Sequence, residues 1–239
     1  MNPPPRATLF DLPLDLVDLA QTVDILHTWT QDPSSRRTVV TLNPEFVVQC
    51  DTDARFKEDI QSADLVTADG VGITWAAGRF GIPVPGRAPG VDIGNGVMAR
   101  GASSLRVFFL GAKPGVAERA ALRCQERFGV QIAGWQDGYF KPEEENTVAQ
   151  RILEADTHLL LTGLGGGKQE RFNEHHRAAR VAIGCGGYID VLAGEVSLAP
   201  DWTRRVGVEW IWRIVTMNRW SRAKRLADFV VKTIFTRAS

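Results

Sequence analysis

Three stretches place polar or glycine-rich sequence directly after apolar runs of strand type. They are Thr41-Leu42-Asn43, Leu65-Val66-Thr67-Ala68-Asp69-Gly70-Val71-Gly72 and Gly163-Leu164-Gly165-Gly166-Gly167-Lys168-Gln169-Glu170. Open α/β sheets hold ligands at such strand ends. Asp69 ends the second run with only Gly70 and Gly72 for close bulk, so its carboxylate can meet a substrate as a general base. The position equally suits capping of the helix that follows, and the two roles are compatible. In the third stretch, four glycines between 163 and 167 let the backbone approach a ligand. The next helix offers free N–H groups, which suits a phosphate or diphosphate. Gly111-Ala112-Lys113-Pro114-Gly115 is a second turn of that kind. Tight strand-to-helix packing accounts for such glycines too, and neither turn is a Walker A or G-x-G-x-x-G sequence.

Other chemistry is poorly served. Asp51-Thr52-Asp53 has the two-carboxylate spacing with which sugar transferases hold a divalent metal, but it precedes a helical pattern instead of ending a strand, so helix capping is the favoured reading. His175 and His176 are neighbours in a helical stretch and cannot share a face, which argues against a metal site. His27 and His158 lie in apolar patterns and read as satisfied core histidines. Cys50, Cys124 and Cys185 are too scattered for a disulfide framework or metal cluster and read as small core residues of a reducing compartment. No Ser or Cys has a nucleophile-elbow setting. No metal site and no cofactor is predicted.

The elements that must position these groups alternate. Strands are predicted at 38–42, 65–68, 106–111, 130–133, 158–162 and 181–184, and helices at 14–29, 53–62, from 73, 91–100, 115–128, 142–155 and after 167. Residues 1–13 read as an irregular, proline-rich lead-in. The alternation predicts an α/β fold, a Rossmann-like mostly parallel sheet flanked by helices with right-handed crossovers.

The chain has 239 residues, 44% of them hydrophobic and 23% charged, with zero formal net charge. That zero hides an asymmetry: residues 203–239 hold nine Lys or Arg against Glu209 and Asp228. Residues 1–200 therefore read as the core, and 201–239 as a basic, amphipathic helical appendage that meets an anionic partner. In that appendage Leu226, Phe229, Val230, Ile234 and Phe235 oppose Arg222, Lys224, Arg225 and Lys232, and Trp210, Trp212 and Trp220 suit a headgroup-level interface. A helix packed on the core with solvated charges is the alternative. No signal peptide and no membrane-spanning run is predicted.

Read together, Thr41-Leu42-Asn43, Ala63-Asp64-Leu65 through Gly72, Phe109-Leu110-Gly111 with Lys113-Pro114-Gly115-Val116-Ala117, Gly138-Tyr139-Phe140, Gly163-Leu164-Gly165 with Lys168-Gln169-Glu170, Gly187 with Asp190 and Ala193-Gly194, Ala199-Pro200 with Trp202, and Glu209-Trp210 with Arg213 form one ordered pattern. Over residues 38–225 it resembles the WecG/TagA/CpsF glycosyltransferases, family 26. The resemblance implies transfer of a sugar, with inversion and without a metal, from a UDP-sugar (of UDP-N-acetylmannosamine type or a related hexose or uronic acid) to a polyprenyl-diphosphate-linked sugar in bacterial surface polysaccharide assembly. It implies that Asp69 is the general base, that Thr41 and Asn43 line its pocket, and that Arg213 serves catalysis. Gly111, Gly165, Gln169 and Asp190 would bind the nucleotide-sugar, Asp190 at the uracil, and Arg219 and Arg222 the acceptor diphosphate. An enzyme of this kind works peripherally on an anionic membrane, at the inner face of the plasma membrane, with no nucleic-acid partner. The oligomeric state is open.

Two departures from the family pattern stand out. It has proline where this chain has Gly167, which implies a looser phosphate turn. Its further tail arginines fall at Trp220 and Ala223 here, with Arg219 and Arg222 one residue early, a rotation of about 100° on a helix. A non-catalytic nucleotide-sugar-binding module is the alternative reading. A dinucleotide-dependent oxidoreductase lacks its fingerprint.

Overall fold

The computed structural model describes residues 3–197 and 220–236. The chain opens with an antiparallel hairpin, β1 (Arg6–Leu9) and β2 (Leu12–Asp15), turned at Phe10 and Asp11, both at positive φ. Helix α1 (Leu19–Gln31) follows, capped by Asp18, whose carboxylate accepts from the N–H of Gln21. This corrects two expectations: residues 6–13 belong to the hairpin and are not irregular, and 14–29 is not one helix. Leu12 and Leu14 are buried on one side of β2, a strand alternation of period two that Pro13 at the edge tolerates. Asp18, and not Pro13, sets the helix start.

Six parallel strands make the main sheet, in the order β4-β3-β8-β7-β5-β6. They are β3 (Arg37–Leu42), β4 (Leu65–Ala68), β5 (Arg106–Gly111), β6 (Gln131–Gln136), β7 (Leu159–Gly163) and β8 (Val181–Gly184). The hairpin covers the β4 edge: Asp15, held by Arg6 at 2.8 Å, accepts from the N–H of Val66 at 2.7 Å. An otherwise unpaired edge is thereby blunted.

Alternate side chains of the strands enter separate cores. Val39, Leu65, Phe109, Leu161 and Ile183 pack with α1, α5 (Gly90–Gly101), α6 (Val116–Phe128) and α9 (Tyr188–Ala193). On the opposite face, Val40, Leu42, Val66 and Ala68 pack with the hairpin, α2 (Pro44–Gln49), α3 (Ala54–Gln61) and α4 (Val71–Arg79). Phe108, Leu110 and Leu160 pack with α7 (Glu145–Glu154) and α8 (Lys168–His176) on that face. The fold is therefore the expected Rossmann-like α/β sandwich.

The last described helix, α10 (Trp220–Phe235), docks on α2 and is tied to α4 through Arg79. Phe229 is buried beside Phe10, at 6.0 Å between ring centroids, and Thr233 is buried one turn on. Arg225 pairs with Glu45 at 3.5 Å, Lys232 pairs with Asp51, and Arg79 donates to the carbonyls of Thr233 and Ile234. Packing does not consume the apolar stripe, because Val230, Val231, Ile234 and Phe235 stay exposed. Among the described residues no helix is long and apolar enough to cross a membrane.

Candidate active site

The chain leaves β5 for its neighbour β6 through α6 on one face, and leaves β7 for β8 through α8 on the other. Divergence of this kind opens a crevice beyond the strands' carboxyl ends. The turns bordering it are 111–115 after β5, 163–167 after β7 and 184–187 after β8; Thr41, Asn43 and Asp69 continue the same edge across β3 and β4. With neighbouring strands ~4.8 Å apart, this edge runs for roughly 19 Å from β4 to β5.

Asp69 is the first residue beyond β4 and is half-buried. Its N–H donates to the carbonyl of Leu42 at 2.8 Å, which continues the β3–β4 ladder one step past Leu42 and Ala68. It is not the N-cap of α4: that position is Gly70, which has no side chain to cap with. Thr41 is buried, with its hydroxyl 3.5 Å from the carbonyl of Gly184. Asn43 is the N-cap of α2. Its Oδ1 accepts from the N–H of Phe46 at 3.1 Å, and Pro44 takes the first helical position. These three predicted residues thus lie together on adjacent strands.

The loop 80–89 folds back over them. The N–H of Ala88 donates to the carbonyl of Ala68 at 2.9 Å, and the Thr67 hydroxyl donates to the carbonyl of Ala88 at 3.0 Å. Arg87, half-buried, is thereby set beside the end of β4. Sequence reading missed it, because a proline- and glycine-rich loop gives no sign of such long-range pairing.

The glycine turns divide into two kinds. A Cβ on Gly111 would lie 2.4 Å from the carbonyl oxygen of Gly163, and one on Gly163 would lie 2.7 Å from that of Gly186. Glycine at these points lets the turns stack on one another. Gly165 differs: at φ +89 it has open space where a Cβ would stand, and there a ligand can meet the backbone.

Gln169 is buried, its Oε1 accepting from the N–H of Gly186 at 3.2 Å and its Nε2 donating to Glu170 at 2.7 Å. Asp190 is half-buried in the first turn of α9, where a helix favours negative charge. Arg213 and Arg219 lie outside the described residues. Arg222 falls in the first turn of α10, with its side chain likewise outside them.

The weaker candidates find structural work. Asp53 caps α3, accepting from the N–H of Phe56 at 3.0 Å, and Asp51 is in its pair with Lys232. His158 accepts from Arg106 and faces Asp156, and His176 bonds Glu145 at 3.0 Å. His27 corrects its expectation, since its buried Nδ1 has no partner among the described residues. Burial pushes the Cys50 and Cys124 thiols up to about 11 and about 12, and that of Cys185 higher still. None of the three is a ready thiolate.

The chain matches the glycosyl transferase WecG/TagA/CpsF family over residues 7–239. It is 32% identical over 229 residues to an N-acetylglucosaminyldiphosphoundecaprenol N-acetyl-beta-D-mannosaminyltransferase of Bacillus spizizenii, covering 92% of this chain and 88% of that relative. The protein belongs to the WecG/TagA/CpsF family of glycosyltransferases.

Proposed function

We propose that this glycosyltransferase moves a sugar of N-acetylmannosamine type from a UDP-sugar to a polyprenyl-diphosphate-linked sugar, with inversion, in bacterial surface polysaccharide synthesis. The observation that carries the reading is the half-buried Asp69, fixed to Leu42 beside Thr41 and Asn43 on the edge shared with the glycine turns. The similar Bacillus enzyme is named for a diphosphoundecaprenol-linked acceptor and a mannosaminyl product, which supports the acceptor and donor classes.

In this reaction the acceptor hydroxyl oxygen attacks the anomeric carbon. Its bond forms as the bond from that carbon to the diphosphate oxygen breaks on the opposite face. Asp69 takes the hydroxyl proton, and UDP departs with the electron pair. An ordinary aspartate titrates at about 3.9 and is a weak base, so positioning and partial desolvation carry much of its effect. Thr41 and Asn43 shape the pocket around it. The turns at Gly111 and Gly165 present backbone N–H groups to the diphosphate, Gln169 supports the nucleotide side, and Asp190 meets the uracil. Charge on the departing UDP is stabilised by those N–H groups together with Arg213. Arg219 and Arg222 hold the acceptor diphosphate.

Residues 201–239 act as the appendage that brings the 1–200 core to the anionic inner face of the plasma membrane. Exposed Val230, Val231, Ile234 and Phe235, with Lys224 and Arg225 on the same helix, support that role. The test is a panel of UDP-sugars against a short-chain lipid-diphosphate-sugar, reading UDP release with and without chelator. Turnover with UDP-N-acetylmannosamine that survives chelation is expected; no turnover with any UDP-sugar contradicts the proposal.

A further inference from the structure

A buried polar bridge joins two of the turns at the crevice. The N–H of Gly167 donates to Oε2 of Glu170 at 2.7 Å, Nε2 of Gln169 donates to Oε1 of Glu170 at 2.7 Å, and the N–H of Gly186 donates to Oε1 of Gln169 at 3.2 Å. Gln169 and Glu170 are 2% and 3% exposed. Glycine at 184 makes room, since a Cβ there would lie 2.6 Å from both Gln169 Nε2 and Glu170 Oε1.

The polarity of this bridge dictates its chemistry. Each end is a backbone N–H, which only donates. An amide passes a hydrogen bond along, accepting on one side and donating on the other. Two amides in series would leave an NH2 group facing an N–H. One inner group must therefore accept on both sides, and among side chains here only an ionised carboxylate does so. Protonation turns one accepting oxygen into a hydroxyl, which accepts more weakly and brings a proton that needs an acceptor of its own, so the bridge loosens.

We infer that ionised Glu170 is a positioning residue of the donor site: it fixes the turn after β7 to the turn after β8, and with them the backbone that faces the sugar nucleotide. This rests on the reading of the crevice as the nucleotide-sugar site. The first link belongs to this chain's own sequence. Gly167 stands at φ +88 and spends its N–H on Glu170, whereas the proline of the family pattern has neither that φ nor an N–H. The turn is accordingly pinned by Glu170.

Burial pushes the Glu170 carboxyl up to about 7, against the hydrogen bonds from Gln169 and Gly167. The groups around it do not reverse this. Asp59 on α3 pushes the same way and is itself paired with Arg171 at 3.6 Å, while the Cys185 thiol after β8, which feels both Glu170 and Asp190, stays protonated. From α2 the neutral Gln49 lies against Gly167. Between pH 8 and pH 6 the ionised fraction then falls about tenfold, and ligand affinity that depends on that form falls with it.

The test follows the amide signals of Gly167 and Gly186 in the 15N-labelled full-length protein from pH 5.5 to 8.5. Calorimetry with UDP-N-acetylmannosamine at pH 6 and pH 8 accompanies it, in the wild type and in Glu170→Gln. Both amides are expected to shift with one midpoint near 7 in the wild type and not in the variant. Affinity should fall about tenfold on acidification in the wild type, and be weak and pH-independent in Glu170→Gln. Amides that fail to titrate together in the wild type, or a variant that binds as the wild type does at both pH values, would overturn the inference. Joint titration of the amides without sugar-nucleotide binding at either pH would support the bridge and overturn the ligand reading of the crevice.

Discussion

The N–H of Asp69 donates to the carbonyl of Leu42 at 2.8 Å, which sets Asp69 level with Asn43 one step beyond the paired ends of β3 and β4. Two polar side chains on adjacent strands thus share one edge of the sheet, and Asn43 is held there by the helix it caps.

That dual duty of Asn43 separates stability from chemistry. Asn43→Ala loses the cap of α2 and should cost about 1 kcal/mol. Asn43→Asp keeps a good cap, yet sets a second carboxylate beside Asp69. Unfolding in urea should show Asn43→Asp within about 0.5 kcal/mol of the wild type, while turnover drops at least about tenfold from the like-charge neighbour. Wild-type turnover in Asn43→Asp would remove Asn43 from the site.

The two kinds of glycine predict two kinds of defect. A methyl at Gly111 meets the Gly163 backbone, so Gly111→Ala should destabilise the fold by about 3 kcal/mol through overpacking. Gly165→Ala meets nothing and pays only for its left-handed φ, about 1 kcal/mol. Its main effect should be a raised KM for the UDP-sugar with little change in melting temperature. Equal loss of stability in both variants would contradict the division.

Helix α10 has one face against the core and one turned outward. Phe229→Ala removes a buried ring beside Phe10 and should cost about 3 kcal/mol, with the last residues becoming open to proteolysis. Phe235, 78% exposed, should behave in the opposite way. Phe235→Glu leaves stability within about 0.5 kcal/mol of the wild type and lowers co-sedimentation with vesicles rich in phosphatidylglycerol. Unchanged vesicle binding in Phe235→Glu would take this face out of the membrane contact.

Glu170 makes stability depend on pH in a fixed direction. Its carboxyl is raised from 4.5 to about 7 in the folded chain by burial, so the folded state holds a proton that the unfolded state has lost. The stability tied to it is fully present below pH ~4.5 and is lost as pH rises through ~7, by roughly 3 kcal/mol. Subtracting the Glu170→Gln profile, measured by urea unfolding at pH 5 and pH 8, should isolate this slope. Parallel profiles for the two proteins would contradict the raised carboxyl.

Much of this architecture is written in local sequence. The apolar run 106–111 and the glycine turn after 163 give β5, β7 and the crevice between them, because strands buried on both faces leave a continuous apolar signal. Asp69, Thr41 and Asn43 were legible as strand-end polar groups. The hairpin was not, since Leu12 and Leu14 offer too short an alternation beside Pro13. Gln169 and Glu170 follow a glycine loop, and only the three-dimensional pairing with Gly167 and Gly186 buries them. Arg87 is likewise placed by the bond from Ala88 to Ala68, sites twenty residues apart in sequence.

The account turns on Asp69 as the base that accepts the acceptor's proton, and single-turnover kinetics of Asp69→Asn test it most directly. The variant should bind UDP-N-acetylmannosamine with wild-type affinity and transfer its sugar about 10²–10⁴-fold more slowly. Transfer at the wild-type rate, or a defect confined to donor binding, would contradict the role assigned to this carboxylate.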